Sequence, residues 1–205
     1  MLDELLLAEA EAVTGFMPPA EGLVLAETAA HYTAVGPVLE IGSYQGKSTI
    51  YLAAGARPAG RTVITVDHHR GSEEHQPGWE YHDPSLVDAA AGRIDTLPRL
   101  RETLRKTGLE DDVIVIVASS QRLATVWQPG LGMVFIDGGH TDEQAQADYS
   151  SWAPHVARHG AMAIHDVFPD PADGGQAPYR IYQRALADGF VEKRAEGSLR
   201  ILERP

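Results

Sequence analysis

Four side chains able to bind a cation or move a proton lie late in the sequence: Asp137 and His140 in FIDGGH, His165 and Asp166 in AIHD. Each pair stands at or just beyond the end of a short apolar run, MVFID or AMAIHD, of the kind that forms a strand buried on both faces. Neighbouring parallel strands would bring all four to one rim. Two imidazoles and two carboxylates make a hard or borderline metal set, octahedral for Mg²⁺ or Mn²⁺ with waters, or tetrahedral for Zn²⁺. The same groups can serve as a general base near neutral pH, with His140 the first choice and His165 the second. A purely structural His-Asp pair is the third reading. The chain has no cysteine, so disulfides, thiolate catalysis and thiolate metal sites are excluded.

A second group of residues reads as a ligand cradle. In EIGSYQGKS, from Glu40 to Ser48, Gly42 and Gly46 fall between an apolar run and a helical pattern, where glycine lets the backbone turn tightly and approach a ligand. The dinucleotide fingerprint GxGxxG is absent, because Tyr44 and Lys47 stand where it needs glycine. A Walker A loop is excluded too, since Ile41 occupies its first glycine position. Glu40 ends the first run and Asp67 the second, which predicts two carboxylates at the rim of one crevice, the latter placed to accept ribose hydroxyls. With a ribose acceptor and no phosphate cradle, the site suits a nucleoside cofactor with a cationic tail.

The elements that must position these groups alternate. Apolar runs at 37–41, 62–67, 113–117, 133–137 and 161–166 are interleaved with helical patterns at 48–56, 94–107, around Leu123 and Val126, and at 143–156. This order predicts an α/β, Rossmann-like, doubly wound and mostly parallel sheet with helices on both faces. Two amphipathic stretches, Leu2-Leu6-Ala10-Val13 and Leu23-Ala26-Ala30, parted by Pro18 and Pro19, predict an N-terminal helical cover over residues 1–34 of the same domain, with the catalytic domain at 35–205. Beyond Asp166 lie a turn-rich stretch, a helix over 179–187 and two strands hinged at Glu196-Gly197.

The 205 residues carry a net charge of −12, which disfavours nucleic acid and anionic membranes as partners. The acidic start has no basic segment and apolar core of a secretory signal, and no run of about 18 apolar residues occurs, so a cytoplasmic protein is expected.

E-x-G-x-x-x-G on the first strand, Asp67 on the second, Ser119-Ser120 after the third and FIDGGH on the fourth resemble the class I S-adenosylmethionine-dependent methyltransferases, over roughly residues 35–203. EIGSYQGKST with FIDGGHTDEQAQAD and AIHD is similar to the cephalosporin hydroxylase-like and macrocin O-methyltransferase-like group within them. More loosely, the pattern resembles mycobacterial sugar 1-O-methyltransferases acting on methylmannose polysaccharide precursors. The resemblance implies a seven-stranded sheet ordered 3-2-1-4-5-7-6 with the last strand antiparallel. It implies S-adenosylmethionine held by Glu40, Gly42, Ser43, Tyr44, Gln45, Gly46, Ser48, Asp67, His68, Ala118, Ser119, Ser120 and Asp137, with Asp67 on the ribose and 118–120 at the adenine. A metal, Mg²⁺ or another divalent ion, would sit on Asp137, His165 and Asp166, although catechol-type relatives carry an acidic-then-amide pair where this chain reads His165-Asp166.

Such an enzyme must position a hydroxyl and remove its proton, because the cofactor already carries the activated methyl. Asp137, His140 and His165 are the catalytic candidates. The loop at 68–84 holds four of the nine histidines. Its Trp79 and Tyr81 have rings to stack and its Glu73, Glu74, His68 and His69 have polar groups for hydroxyls, which makes His69, Glu73, Trp79 and Tyr81 the leading substrate candidates and favours a small carbohydrate acceptor. A homodimer is the default assembly. Two other classes stay open: a metal-dependent hydrolase or hydroxylase, and a non-catalytic nucleoside-binding module.

Overall fold

Seven segments hydrogen-bond into one sheet, most of them apolar or β-branched and the edge strand VEKRAE charged: Val38–Ile41 (β1), Val63–Asp67 (β2), Val113–Val117 (β3), Leu131–Ile136 (β4), Val156–Ile164 (β5), Val191–Glu196 (β6) and Leu199–Glu203 (β7). The computed structural model describes residues 4–79 and 81–205. The strand order is β3-β2-β1-β4-β5-β7-β6. β1 pairs in parallel with β2 and β4, β2 with β3, and β4 with β5, whereas β7 runs antiparallel to both β5 and β6. This is the order the resemblance implied, including the reversed last strand.

The period of two along the central strands assigns side chains to two cores. Met133, Phe135, Ala161 and Ala163 face helices Glu4–Ala12 (α1), Pro19–Tyr32 (α2), Lys47–Ala56 (α3) and Leu97–Thr107 (α4). Val134, Ile136, Met162 and Ile164 face Ser120–Ala124 (α5), Asp142–Trp152 (α6) and Ala177–Ala187 (α7). Both faces are thus covered, as a parallel sheet requires. Among the described residues no helix is long and apolar enough to cross a membrane.

Three details differ from the sequence expectation. The helix after β4 stops at Trp152, where Ala153-Pro154-His155 tightens into a 3₁₀ turn, and β5 begins at Val156 instead of Ala161. Proline at 154 has no N–H to continue the helix. On α2, Ala26 is buried as expected but Leu23 and Ala30 face outward, and the buried stripe is Glu21, Gly22, Val24, Leu25, Ala26, Thr28, Ala29 and Tyr32. Glu21 belongs to that stripe because it has a partner just beyond the end of β5, described below. The short ribbon pairing Val87–Asp88 with Arg93–Ile94 had no sequence signal. Leu6 and Ala10 are buried as expected, while Leu2 lies outside the described residues.

Candidate active site

The parallel ladder continues one residue past the strands and thereby builds the rim. Gly42 N donates to Val66 O (3.0 Å), Asp137 N to Ile41 O (3.0 Å), Ala118 N to Asp67 O (3.2 Å) and His165 N to Ile136 O (3.2 Å). Gly42, with φ of 87°, meets Asp137 so closely that a Cβ would stand 2.2 Å from the Asp137 carbonyl. Only glycine fits there.

Asp67 organises the loop beside it. Its Oδ2 accepts from the backbone N–H of Ser43 (3.1 Å) and Tyr44 (3.0 Å), and its Oδ1 from that of His69 (2.7 Å). A carboxylate offers about four acceptor positions, so one is left for a ligand. Asp67 and His68 border a cavity of about 240 Å³ that also reaches Ala118, Ser119, Ser120 and Tyr44. A second cavity of about 350 Å³ is bordered by Ser43, Ser48, Phe16, Tyr81, His140 and Asp166. Gly42, Tyr44, His75, Asp137 and Gly138 border both.

Glu40, Gln45 and Gly46, expected at the cofactor, do not face either cavity. Glu40 is fully buried beneath the loop, where its two oxygens accept from Ser48 Oγ and Thr49 Oγ1, each at 2.6 Å. The period of two explains this: Glu40 follows Val38 toward α3, away from the rim. Burial pushes its carboxyl up to about 7, against the hydroxyl bonds that favour the charged form. The Gln45 carbonyl accepts from Thr103 Oγ1 (2.8 Å), and Gly46, with φ of 95°, packs against Leu100. These residues tie the loop to α3 and α4.

At the floor, Asp137, His140 and Asp166 each offer a ligand atom, all within 4.8 Å of one another. His140 Nε2 is 3.1 Å from Asp166 Oδ2 and its Nδ1 is 3.0 Å from Glu74 Oε1. Burial works to lower its pKa, yet the two carboxylates carry it up to about 10. His140 is therefore an imidazolium at neutral pH and cannot accept a proton in this state. Asp166 is held well below the usual carboxylate range by the two histidines, despite its burial.

His165 departs from its expected place among the metal ligands. It is buried, with Nε2 2.7 Å from Glu21 Oε2 on α2 and Nδ1 3.1 Å from Asp137 Oδ1. Burial would lower its pKa, but Asp137, Asp166 and Glu21 hold it well above the ordinary value. With both nitrogens engaged by carboxylates it offers neither to a metal or a substrate proton. The cluster that could hold a metal contains His140 where His165 was expected.

The substrate candidates divide as well. Tyr81 borders the larger cavity, packed edge-on against Phe16 with centroids 5.0 Å apart. His69 instead is 1% exposed, with Nδ1 on Thr96 Oγ1 (2.8 Å) and its backbone tied to Asp67. Trp79 is exposed and away from both cavities. In the 3₁₀ turn Glu73–His75, Glu73 points outward while Glu74 and His75 face the larger cavity. Glu74 was among the loop residues expected to meet acceptor hydroxyls, and the contributions that sequence reasoning missed are His75, Phe16 and Glu21. For Glu21 a signal existed: His165 has the same parity as Ala163, so it must point into the layer where α2 lies.

Residues 39–167 match the family described as "Methyltransferase domain". Catechol O-methyltransferase of Mycobacterium tuberculosis (strain ATCC 25618 / H37Rv) is 34% identical over 130 residues, which are 63% of this chain and 46% of that protein. The chain thus spans about half the length of this curated relative. Among solved structures, the SAH-bound Podospora anserina methyltransferase PaMTH1 superposes with a TM-score of 0.69 at 15% identity, covering 100% of this chain and 89% of that one. The O-methyltransferase from Bacillus cereus in complex with SAH superposes at 0.62 with 20% identity, over 98% and 89%. At such identities the likeness carries the fold, and it is the family match, over more than half of the residues, that places the protein: the chain belongs to the methyltransferase-domain family.

Proposed function

We propose that this protein is an S-adenosylmethionine-dependent O-methyltransferase acting on a small hydroxylated acceptor. The carrying observation is the wall shared by the two cavities, Gly42, Tyr44, His75, Asp137 and Gly138. A cofactor in the smaller space meets an acceptor in the larger one at that wall, beside the Asp137, His140, Asp166 cluster. The chemistry of the loop fits a nucleoside with a charged tail: Ser43 Oγ is buried without a hydrogen-bond partner among the described residues, and Asp67 keeps an acceptor position.

When bound, S-adenosylmethionine supplies a methyl group already activated on a sulfonium. The donor set also fits a divalent ion such as Mg²⁺, which would be held by Asp137, His140 and Asp166 and would lower the pKa of the acceptor hydroxyl. The residues themselves do the rest. Asp67 fixes the loop, Phe16, Tyr44 and Tyr81 orient the acceptor, and His165 Nδ1, 3.1 Å from Asp137 Oδ1, holds Asp137 in place. With its ring proton lost to solvent His140 would be free to hold such an ion, and Glu74, whose side chain is 24% exposed, offers the path by which the acceptor's proton would reach bulk water.

The finer reading is a carbohydrate acceptor, for which aromatic ring faces beside carboxylates are suited. A catechol is the second reading, favoured by the name of the 34% identical relative and by the same aromatic wall. A cytoplasmic homodimer completes the proposal, consistent with the acidic, cysteine-free chain. Titration calorimetry with S-adenosylhomocysteine, with and without Mg²⁺, followed by labelled methyl transfer to mannosides and catechols, tests it. Micromolar binding and transfer to one acceptor class are expected. Absence of binding in both conditions overturns the proposal.

A further inference from the structure

Carboxylates engage both His140 and His165, and neither ring is free to take a proton from an acceptor, but a third imidazole stands between the cavities. His75 closes the 3₁₀ turn Glu73–His75 and lies on the wall that the two spaces share. Gln76 pins this turn, its Nε2 donating to Arg70 O and to Ser72 O, each at 3.0 Å. The His75 ring sits among Tyr44, Tyr81 and Phe16, with centroids 5.1, 6.4 and 6.5 Å away. Its Nδ1 is 2.7 Å from Ser72 Oγ, and its Nε2 is buried with no hydrogen-bond partner among the described residues.

Its tautomer follows from counting hydrogens. Ser72 Oγ has one hydrogen and gives it to Glu74 Oε1 at 3.1 Å. Glu74 cannot return one, because the bond from His140 holds its carboxyl below the ordinary range, ionised and able only to accept. Ser72 Oγ therefore accepts from His75 Nδ1–H, which leaves the lone pair on Nε2. Burial holds the ring below the ordinary histidine range; the charge of His140 adds to this, and Glu74 beside it and Asp67 at the end of β2 oppose it without prevailing. Tyr44, Tyr81 and Phe16 bring only uncharged rings. A buried, bare acceptor nitrogen is costly unless a ligand donates to it, and a hydroxyl entering between these rings can do so. We propose that His75 is the general base of the transfer: the acceptor's hydroxyl proton passes to Nε2 as its oxygen bonds to the methyl carbon and the carbon–sulfur bond breaks. The positive charge of the sulfonium thus ends on the imidazole ring, which releases the proton to solvent before the next turnover. The assignment rests on the O-methyltransferase reading given above.

The test follows labelled methyl transfer from S-adenosylmethionine to two acceptor probes, catechol and a methyl mannoside, and measures S-adenosylhomocysteine affinity in parallel. His75→Gln and His75→Ala are expected to lower kcat roughly 10²- to 10⁴-fold while the S-adenosylhomocysteine Kd stays within about threefold of wild type. Added imidazole is expected to restore turnover to His75→Ala by about tenfold or more, a rescue that a merely structural ring would not show. NMR of the ring nitrogens in the wild-type complex with S-adenosylhomocysteine is expected to show His75 neutral near neutral pH, with its proton on Nδ1, and this reading decides even if neither variant folds. A proton on Nε2 overturns the assignment. So does a folded variant whose kcat lies within about tenfold of wild type, or whose loss of turnover is matched by an equal loss of cofactor affinity. If the wild type fails to bind S-adenosylhomocysteine or methylates neither probe, the O-methyltransferase reading falls and takes the base with it, an outcome distinct from turnover that survives without His75.

Discussion

Replacing Glu21 with alanine removes three contacts at once: His165 Nε2 at 2.7 Å, Ser198 N at 2.7 Å and Ser198 Oγ at 3.3 Å. Both Glu21 and His165 are less than 5% exposed, so water cannot replace what is lost. An unsatisfied buried donor costs about 1–3 kcal/mol, and breaking a buried ion pair about 3–5 kcal/mol. Asp137 and Asp166 remain beside His165, so the lower end applies, about 3 kcal/mol. For a chain of this size that lowers Tm by roughly 6–12 °C. Glu21→Gln keeps an acceptor for Ser198 N and loses the charge opposite the imidazolium, which predicts about 1–2 kcal/mol. Urea unfolding at pH 7, compared at constant m, measures both. If E21A lies within about 1 kcal/mol of wild type, His165 is not the charged, three-carboxylate centre described above.

Four further outcomes are expected. Asp67→Ala unties the backbone of Ser43, Tyr44 and His69 and is predicted to weaken S-adenosylhomocysteine binding at least tenfold, a hydrogen bond to a charged group being worth about 1.5–3 kcal/mol; an unchanged calorimetric Kd would count against its role. Dialysis against EDTA should abolish turnover and Mg²⁺ restore it, with a pH-rate profile already flat near pH 8. Metal-free activity that climbs toward pH 10 would instead make His140, with its pKa of about 10, the base. Glu40 has a folded pKa of about 7 against 4.5 in the unfolded chain, so the folded state holds the proton more tightly and stability falls as pH rises through that window. Wild type should lose roughly 3 kcal/mol between pH 4.5 and 7.5 relative to Glu40→Gln; parallel stability curves would refute it. Phe16→Ala should raise the acceptor KM about tenfold while leaving cofactor affinity unchanged, as the loss of one aromatic contact of about 1.5 kcal/mol predicts; equal effects on both would show that the ring does not belong to the acceptor side.

The fold was legible because MVFID and TVITVD on central strands, and VIVIV at the half-exposed edge, show continuous apolar runs that no other local signal contradicts. The carboxyl rim followed from them. Facing direction within the rim was harder, since Glu40, Asp137, His165 and Asp166 look equivalent as types. Strand parity separates them: Glu40 and His165 both point toward the α1–α4 layer, and each is satisfied there, by Ser48 and Thr49 or by Glu21. The loop at 68–84 resisted because a three-residue turn decides which of Glu73 and Glu74 faces inward, and neither hydrophobic period nor propensity reads that choice. Phe16 and Glu21 lie far from every motif and reach the site only through tertiary packing.

The Glu21 bridge also bears on the order in which the molecule assembles. It joins residues 144 and 177 positions apart in the chain, His165 and Ser198 with the second helix. Contacts of such long sequence separation bear a large loop-closure entropy and tend to form late in folding. The floor of the site is therefore finished only when the first helices and the final hairpin dock together. Recovery of catalytic turnover should trail the return of the helical circular dichroism signal during refolding, and a chain caught with either terminus undocked should be folded by most spectroscopic measures and inert.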